Sequence, residues 1–249
     1  GTGTVIFADD RTSLPPTAAI GLGIDAGGTY TDAVIYDFKT GTTQSKGKAL
    51  TTRWDFTIGI GRALEKLDPN QLKQVEMVAL STTLATNAIV EGDGQKVGLL
   101  LMPPYGVYDP ADYPHEPKAR VPGRLSITGE EIEPVDTNQV RQIVRRMVEK
   151  DRVNAFAVSG FAGAINPEHE TTVRRIIRSE TGLFVTCGHE LSSILDFKIR
   201  ATTAVLNARI VPRLGKLIAN LEKALQARGI LAPIVVGKGD GTLMRAEMA

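Results

Sequence analysis

A glycine doublet with a carboxylate before it and hydroxyl groups after it is the pattern in this sequence that most directly indicates chemistry. Asp25 stands just before Gly27 and Gly28, and Thr29 and Thr31 follow them. Backbone N–H groups in a glycine turn can approach phosphate oxygens closely, and threonine hydroxyls add further donors. A carboxylate there would repel bare phosphate unless a divalent cation lay between the two. The pattern therefore predicts a Mg²⁺-polyphosphate site, with an ordinary glycine hairpin as the alternative interpretation.

The same segment formally matches a second phosphate signature, which its surroundings argue against. Residues 21–26 fit the dinucleotide pattern Gly-x-Gly-x-x-Ala. That pattern needs a helix to begin at its end and to direct its N-terminus at the pyrophosphate. Residues 31–36 are instead rich in β-branched and aromatic side chains, which favour a strand. The Gly-Lys-Ser/Thr run of a P-loop does not occur either, so the prediction is strand, glycine turn, strand.

A group of hydroxyl and amide residues follows the next predicted strand. Residues 77–80 are apolar enough for a short buried strand, and residues 84–90 have helical spacing. Thr82, Thr83 and Asn87 then lie near the carboxyl end of a strand, where open α/β sheets usually bind ligands. They are candidate ligand contacts. The alternative is that the hydroxyls only cap the helix.

The remaining apolar periodicity alternates between strand and helix, which is typical of an α/β fold. Further strands are predicted at 97–102, 153–158, 183–187 and from 233. Helices are predicted around 56–67, 140–148, 173–177 and 199–227, the last with Pro212 inside it. Thr51 or Thr52 is the predicted cap of the first of these helices, and Asp136 is that of the second.

Residues 103–135 differ in composition, because they hold seven of the chain's 13 prolines, interleaved with three tyrosines. A long irregular segment in a compact domain is usually functional or mobile. The segment is predicted to form a lid or an intersubunit surface. A plain excursion loop, anchored by its aromatic residues, is an equal alternative.

Composition and charge restrict the class of protein. The chain has 249 residues, of which 42% are hydrophobic and 23% are charged, as in ordinary globular domains. A formal net charge of +1 without a long Lys/Arg run argues against nucleic acid as a partner. No apolar stretch approaches the roughly 20 residues of a membrane span. Cys187 is the sole cysteine, which fits a cytoplasmic protein, and it is predicted to be packed in a strand rather than to be a nucleophile. A structural zinc site is not expected from three histidines and one close Cys-His pair.

Several motifs resemble the pattern of one family. Residues 23–32, Gly-Ile-Asp-Ala-Gly-Gly-Thr-Tyr-Thr-Asp, are similar to the opening of the hydantoinase A and oxoprolinase family, within the actin-like ATPase and sugar kinase superfamily. Residues 81–88, Ser-Thr-Thr-Leu-Ala-Thr-Asn-Ala, resemble its second signature. Stretches at 165–170, 200–208 and 237–244 also resemble the family's pattern. The resemblance thus runs from about residue 20 to the last residue.

The resemblance implies an α/β fold of the actin-like, ribonuclease H-like type, with a mixed sheet flanked by helices in each ATPase lobe and the nucleotide between two lobes. Residues 1–19 are then predicted to be a tag or disordered leader, and 20–190 an N-terminal ATPase-like lobe. Residues 191–249 would be a bridging helix and the start of a truncated second lobe, which is only begun. The chain alone is expected to bind nucleotide weakly or not at all and to be inactive by itself. Residues 160–164 are less bulky than the family's pattern, which leaves the substrate open.

The family's activity implies an ATP-dependent hydrolase that opens a small cyclic amide, of the hydantoin or oxoproline type, by phosphorylating its carbonyl oxygen. The implied cofactors are ATP and Mg²⁺, with Asp25 as the metal ligand, directly or through water. The implied catalytic residues are Asp25, Asp32, Thr82, Thr83 and Asn87. The implied nucleotide contacts are Gly27, Gly28, Thr29, Tyr30 and Thr31. Asp32 would order the loop or polarise a water, and Thr82, Thr83 and Asn87 would orient the carbonyl substrate.

Two other functions remain open with the same residues. One keeps the fold and changes the small molecule that is acted on, which gives an ATP-dependent ketone carboxylase subunit or a small-molecule kinase. The other is an ATP-driven activator of a partner enzyme, in which residues 103–135 grip a protein. The hydrolase is favoured over the activator because residues 82–88 follow the hydrolase family, whereas the sequence does not separate the hydrolase from the carboxylase or the kinase. A companion subunit and a homo-oligomer are further expectations, whereas nucleic acid and membrane are not expected partners.

Overall fold

The computed structural model describes residues 19–52, 54–82, 94–104, 109–191, 196–237 and 243–245. These residues form two compact units: unit 1 takes those of 1–93 and 213–249, and unit 2 takes those of 94–212. Unit 1 is thus assembled from two separate stretches of chain, whereas unit 2 is continuous. The predicted boundary after residue 190 differs from the borders of these units, and the division into two lobes stays a prediction. The predicted leader, apart from Ala19, lies outside the described residues.

Unit 1 contains a mixed sheet with six described strands. They are β1 (Ile20–Ala26), β2 (Tyr30–Asp37), β3 (Thr42–Leu50), β4 (Met77–Thr82), β11 (Ile234–Gly237) and β12 (Leu243–Arg245). Their order across the sheet is β12-β11-β4-β1-β2-β3. β1, β2 and β3 are antiparallel, whereas β4 runs parallel to both β1 and β11. The carboxyl ends of β1, β4 and β11 therefore meet at one edge of the sheet.

One face of this sheet is buried under helices. Helix α1 (Phe56–Leu64) and the C-terminal part of α5 (Phe197–Gln226) pack on it. Alternate strand residues point into this core, as the two-residue period of a strand requires. Leu22, Ile24 and Ile35 of the strands and Leu221 of α5 are each at most 2% exposed. The opposite face of the sheet carries the odd-numbered residues of β1, among them Asp25, which is exposed.

Two short helices connect β3 to β4. α1 begins after Asp55, whose Oδ1 accepts a hydrogen bond from Thr57 N at 3.0 Å. The predicted cap at Thr51 or Thr52 is wrong, because the chain first makes a turn in which Asp55 N donates to Thr52 O. α2 (Pro69–Leu72) is capped in the same way by Asp68. Both helices thus start at an aspartate that satisfies otherwise unpaired N–H groups.

Unit 2 contains a parallel sheet. Its strands are β5 (Val97–Met102), β6 (Lys118–Arg120), β9 (Ala155–Gly160) and β10 (Phe184–Cys187), in the order β10-β9-β5-β6. All three neighbouring pairs are parallel. Every residue of β5 and β9 is buried, which is the pattern of strands that are covered on both faces. The predicted strands at 97–102 and 183–187 are confirmed, and the strand predicted at 153–158 lies two residues later.

The proline-rich segment is more regular than predicted in its described part. β6 pairs with β5, and β7 (Arg124–Leu125) forms a small antiparallel pair with β8 (Glu131–Glu133). Strands of two or three residues are too short to produce a detectable period. The described part of 103–135 thus contains three short strands that the sequence did not predict, and its role as a lid or intersubunit surface stays a prediction.

Helices cover both faces of the unit 2 sheet. α3 (Thr137–Glu149) and α4 (Glu168–Thr181) pack on one face through buried residues such as Val144 and Ile177. The N-terminal part of α5 packs on the other face through Ala201, Ala204 and Ala208, each fully buried. The predicted cap of α3 is confirmed, because Asp136 Oδ1 accepts from the N–H groups of residues 138 and 139 at 3.0 Å. The predicted α/β class, with sheets flanked by helices, is confirmed. No helix in the described ranges has the length and apolar character needed to cross a bilayer.

Candidate active site

Four polar side chains form a row across unit 1, on the face of the sheet opposite the core. Ser81 of β4 lies in register with Asp25 of β1. Asp25 lies opposite Asp32 of β2, which in turn lies opposite Lys48 of β3. All four side chains are exposed. This polar row brings together two of the predicted catalytic residues, Asp25 and Asp32, near the carboxyl ends of β1 and β4.

The charges of the polar row are unevenly paired. Lys48 Nζ lies 3.2 Å from Asp32 Oδ1 and 4.7 Å from the centre of the Tyr30 ring. The Asp25 carboxylate has no hydrogen bond or ion pair with any residue in the described ranges. Like charges directly opposite each other on neighbouring strands destabilise a sheet. A divalent cation that prefers oxygen ligands, such as Mg²⁺, would relieve the repulsion between Asp25 and Asp32, so the donor set fits this ion.

The glycine turn between β1 and β2 is needed for the hairpin itself. Gly27, Gly28 and Thr29 connect the two strands, and Gly27 N donates to Tyr30 O at 3.1 Å. A side-chain carbon at Gly27 would lie only 2.9 Å from that oxygen. The hairpin therefore explains Gly27 without a ligand. What favours a phosphate is the position of the turn, directly after Asp25 at the carboxyl end of β1.

A cavity of about 280 Å³ opens on the polar row. Asp25, Asp32 and Ser81 line it together with Gly237, where β11 ends. Gly23 and Ala79 form part of its floor, and their small size leaves the space above the sheet. Pockets for drug-sized ligands measure roughly 300–1,000 Å³. The described part of this site thus has room for a phosphate group or a small substrate, rather than for a whole nucleotide.

Comparison with known proteins identifies the family. The family model for the hydantoinase/oxoprolinase N-terminal region matches residues 21–181, which is more than half of the chain. The chain belongs to this family. The predicted resemblance is thereby confirmed. Within the family's domain, β1, β2, β3 and β4 supply the whole polar row.

Individual relatives are longer than this chain. The chain is 29% identical to the caprolactamase subunit alpha of Pseudomonas jessenii, over 89% of this chain and 36% of the relative. It is 25% identical to the acetophenone carboxylase gamma subunit of Aromatoleum aromaticum, over 83% of this chain and 33% of the relative. The crystal structure of the ATP-dependent caprolactamase from Pseudomonas jessenii superposes with a TM-score of 0.70 at 27% identity, covering 90% of this chain and 36% of that one. The chain therefore spans about a third of the length of the curated relatives it matches.

The hydantoinase/oxoprolinase motif around the turn is split between the two faces of the sheet. Thr29 and Tyr30 are exposed near the polar row, and Gly27 and Gly28 are partly buried. Thr31 is fully buried, and its Oγ1 hydrogen-bonds Thr51 Oγ1 at 2.9 Å. That placement favours a structural role for Thr31, whose predicted phosphate contact remains a prediction.

The second motif of the family is described only at its start. Thr82 ends β4, and its Oγ1 donates to Ala26 O at 3.4 Å, so it fastens β4 to the start of the glycine turn. Thr83 and Asn87 lie outside the described residues, as does the glycine-rich stretch after Gly237. Orientation of a carbonyl substrate by Thr82, Thr83 and Asn87 stays a prediction.

A second polar cluster, which the sequence analysis did not single out, lies in unit 2. Glu170 is fully buried in the first turn of α4, and its Oε2 lies 2.6 Å from His189 Nδ1. Residues 165–170 belong to a stretch that resembles the family's pattern, but the sequence indicated there only the start of a helix. The available signal was an acidic residue at an apolar position of that helix.

Glu170, Cys187 and His189 also place three possible metal-ligating atoms within 4.8 Å of one another. Burial, followed by the charges of Glu170 and Glu190, raises the pKa of the Cys187 thiol well above its usual range. Because metals bind the thiolate, this environment disfavours a metal. The Glu170 oxygens already accept hydrogen bonds from three N–H groups. The cluster is therefore better described as a hydrogen-bonded network, and Cys187 is packed and fully buried, as predicted.

Replacing Gly27 with alanine is expected to lower the free energy of unfolding by about 1–3 kcal/mol, because the added methyl group would press on Tyr30 O. Gly61→Ala is the matched control, since Gly61 lies inside α1 with no atom within 4 Å of an added methyl group. That control should raise the free energy of unfolding by roughly 0.5–1 kcal/mol. Urea titration of both variants gives the comparison. If Gly27→Ala is as stable as the wild type, the hairpin does not need a glycine at this position.

Proposed function

We propose that this chain is the N-terminal part of an ATP-dependent enzyme that phosphorylates the carbonyl oxygen of a small cyclic amide and so allows the ring to be opened. The observation that carries the proposal is the carboxylate of Asp25, which has no partner among the described residues and lies beside the glycine turn at the edge of a cavity. Support comes from membership of the hydantoinase/oxoprolinase family and from a relative that is named a caprolactamase.

The chemical need for ATP follows from the substrate class. An unstrained cyclic amide is a poor electrophile, because attack on its carbonyl carbon destroys amide resonance. Phosphorylation of the carbonyl oxygen makes that carbon open to attack by water. Such a transfer depends on positioning and on electrostatic stabilisation of the transferring group.

The residues of the polar row supply these two requirements. Asp25 would hold Mg²⁺, which when bound neutralises developing charge on the phosphate oxygens. The backbone N–H groups of Gly27 and Gly28, with the hydroxyl of Thr29, would face the phosphates. Asp32, held by Lys48, would keep the turn in place or orient a water. A substrate of small size fits the cavity volume beside these groups.

Carboxylation of a ketone is the second candidate function. It is favoured by the relative that is named an acetophenone carboxylase subunit, at 25% identity. The first step would be the same, since phosphorylation activates a carbonyl group in either case, and the polar row would serve both. Phosphorylation of a hydroxyl compound and activation of a partner enzyme are the remaining alternatives.

We further propose that the protein works with a companion subunit and forms a homo-oligomer. The two curated relatives are named as the alpha subunit and the gamma subunit of their enzymes. Both are about three times as long as the stretch matched here, so the chemistry belongs to the longer protein.

The natural full-length protein, purified with its companion subunit, tests the proposal. It is incubated with ATP and Mg²⁺ and with caprolactam, hydantoin or 5-oxoproline, or with acetophenone plus bicarbonate. ADP formation and the organic product are followed by mass spectrometry. Ring-opened product in proportion to ADP supports the hydrolase, and carboxylated ketone supports the second candidate. ATP turnover that needs only a protein partner, with no small molecule consumed, contradicts both.

A further inference from the structure

A groove of about 610 Å³ lies in unit 1 where β3 and the end of α1 meet. In the described part of the sheet β3 is the last strand, with β2 as its one neighbour. The groove is lined by three side chains of the β2–β3 hairpin and by three at the end of α1: Tyr30, Lys48, Leu50, Arg62, Glu65 and Lys66. These residues all belong to one unit, and their cavity is called the β3 groove below.

The free backbone edge of β3 borders the β3 groove. Lys66 Nζ donates to Lys48 O at 2.5 Å, which shows that this oxygen points away from β2. Backbone groups alternate in direction along an antiparallel strand, so those of Lys46 and Leu50 point to the same edge. No strand in the described ranges pairs with that edge. An extended peptide can add to an unpaired strand edge of this kind.

Positive charge exceeds negative charge in the β3 groove. Three lining side chains are cationic, those of Lys48, Arg62 and Lys66, and one is anionic, that of Glu65. Lys48 is already paired with Asp32. Among the described residues, Arg62 has no hydrogen bond or ion pair, and Lys66 bonds only to an uncharged backbone oxygen. Two cations of the groove are therefore available to carboxylates from outside.

Apolar and aromatic side chains lie beside these cations. Leu50 is 62% exposed and lies opposite Tyr30, which is 46% exposed. Trp54, the chain's one tryptophan, follows four residues after Leu50 and is 85% exposed. Arginine, tyrosine and tryptophan are the residues that contribute most to protein–protein binding. A free phosphate would not use the apolar surface of Leu50, so the composition of the groove favours a protein as its occupant.

The charge of the β3 groove argues against a second copy of this chain as that protein. In a two-fold contact the same surface of both copies meets itself. Arg62 and Lys66 of one copy would then lie near the same cations of the other, and like charges brought together across an interface are costly. A segment rich in aspartate or glutamate would instead be attracted.

We propose that the β3 groove is the docking site for an extended acidic segment of the companion subunit. Carboxylates of the segment would pair with Arg62 and Lys66, and an apolar side chain would cover Leu50. Its backbone would bond to the β3 edge once Lys66 has turned from Lys48 O to a carboxylate. The inference rests on the proposed function for the existence of the companion subunit. Because Lys48 also belongs to the polar row, the docked segment would lie beside the candidate active site.

Carbodiimide cross-linking of the natural full-length protein with its companion subunit identifies the occupant. The reagent joins a carboxylate to a lysine amine that contacts it, and peptide mass spectrometry locates the joined pair. We expect Lys66 to be joined to an aspartate or glutamate of the companion subunit. The Lys48–Asp32 pair, 3.2 Å apart, is the internal control for the reagent. A link from Lys66 to a second copy of this chain overturns the proposal, as does no link when the control pair is joined.

Charge reversal measures how much the β3 groove contributes to binding. Arg62→Glu combined with Lys66→Glu is expected to weaken binding of the companion subunit at least about tenfold, measured by isothermal titration at low salt. The wild-type affinity should fall as salt is added, and that of the variant should fall less. Lys39→Glu combined with Lys73→Glu is the matched control, since it makes the same charge change on exposed residues of unit 1 outside the groove. The control should stay within about twofold of the wild type.

A milder pair of substitutions covers the case in which the reversed variant does not fold. Circular dichroism shows whether the fold is retained. If it is not, Arg62→Gln combined with Lys66→Gln takes its place, with an expected loss of affinity of at least about threefold.

The outcomes separate this inference from the proposed function. If wild type and a folded groove variant bind the companion subunit equally well, the inference fails, and the cations serve only to protect the strand edge from wrong pairing. Product formation by the wild type then still supports the proposed function. If the wild type binds no companion subunit, the inference fails together with the proposed companion, whereas the carbonyl chemistry is judged by ADP and organic product.

Discussion

Asp25→Asn is expected to reduce ATP-dependent product formation by the full-length protein on the order of 10²–10³-fold. The substitution keeps the shape of the side chain and removes the negative charge that would hold Mg²⁺ against the phosphates. Asp25 has no partner in the described part of the chain that could compensate. Steady-state measurement of ADP and ring-opened product, with Mg²⁺ varied, gives the size of the effect. A large rise in the Mg²⁺ concentration needed for half-maximal rate is expected alongside the fall in kcat.

Stability should change in the opposite direction. Asp25 faces Asp32 across the β1–β2 pair, so Asp25→Asn removes a repulsion and should raise the free energy of unfolding by about 0.2–1 kcal/mol. Asp37→Asn is the control, because Asp37 lies at the far end of β2, where it accepts hydrogen bonds from the N–H groups of residues 39 and 40. The control should leave turnover within about twofold. Normal turnover in Asp25→Asn would remove Asp25 from the site.

Phe156→Ala is expected to lower the free energy of unfolding by about 3–5 kcal/mol. Phe156 is the second residue of β9 and is 0% exposed, and it packs so closely that a side-chain carbon at Gly98 would lie 2.8 Å from its ring. Such a loss is a large part of the roughly 5–15 kcal/mol by which a domain is stable. Hydrogen exchange followed by mass spectrometry is the suitable measurement, because it reports unit 1 and unit 2 separately.

The hydrogen-exchange experiment shows whether the loss of stability is confined to unit 2 or extends to both units. Peptides of unit 2 should lose protection in Phe156→Ala. Phe38→Ala deletes the same side chain where it is 53% exposed and stacks edge-on with Tyr36 at 5.1 Å, so it should cost only about 1 kcal/mol. A similar loss of stability in both variants would mean that Phe156 is not part of the buried core of unit 2.

Regular elements with strong apolar periods were predictable from the sequence. The strand at 97–102 and the cap at Asp136 were found because both signals lie in neighbouring residues. β6 and the β7–β8 pair were missed, since their formation depends on pairing partners and not on local pattern. The cap at Asp55 was not predicted, because Thr51 and Thr52 are also good helix caps and the sequence does not show that a turn separates them from the helix.

The candidate site was predictable only in part, for related physical reasons. Asp25 was identified by its place before a glycine doublet, but its neighbours Ser81 and Lys48 depend on the register of three other strands. Strand alternation places Thr31 on the face opposite Asp32. Glu170 meets His189, 19 residues later, only after α4 and β10 have formed.

The discontinuous make-up of unit 1 has a consequence for its synthesis on the ribosome. β4 is translated long before β11, which later pairs with it, and the whole of unit 2 is made in between. At about 5–20 residues per second, β4 waits roughly 8–30 s with an unpaired edge while about 150 residues are added. An open edge is a template for wrong pairing. Nascent chains that stall within unit 2 should therefore aggregate or recruit chaperones more readily than chains released after Gly237.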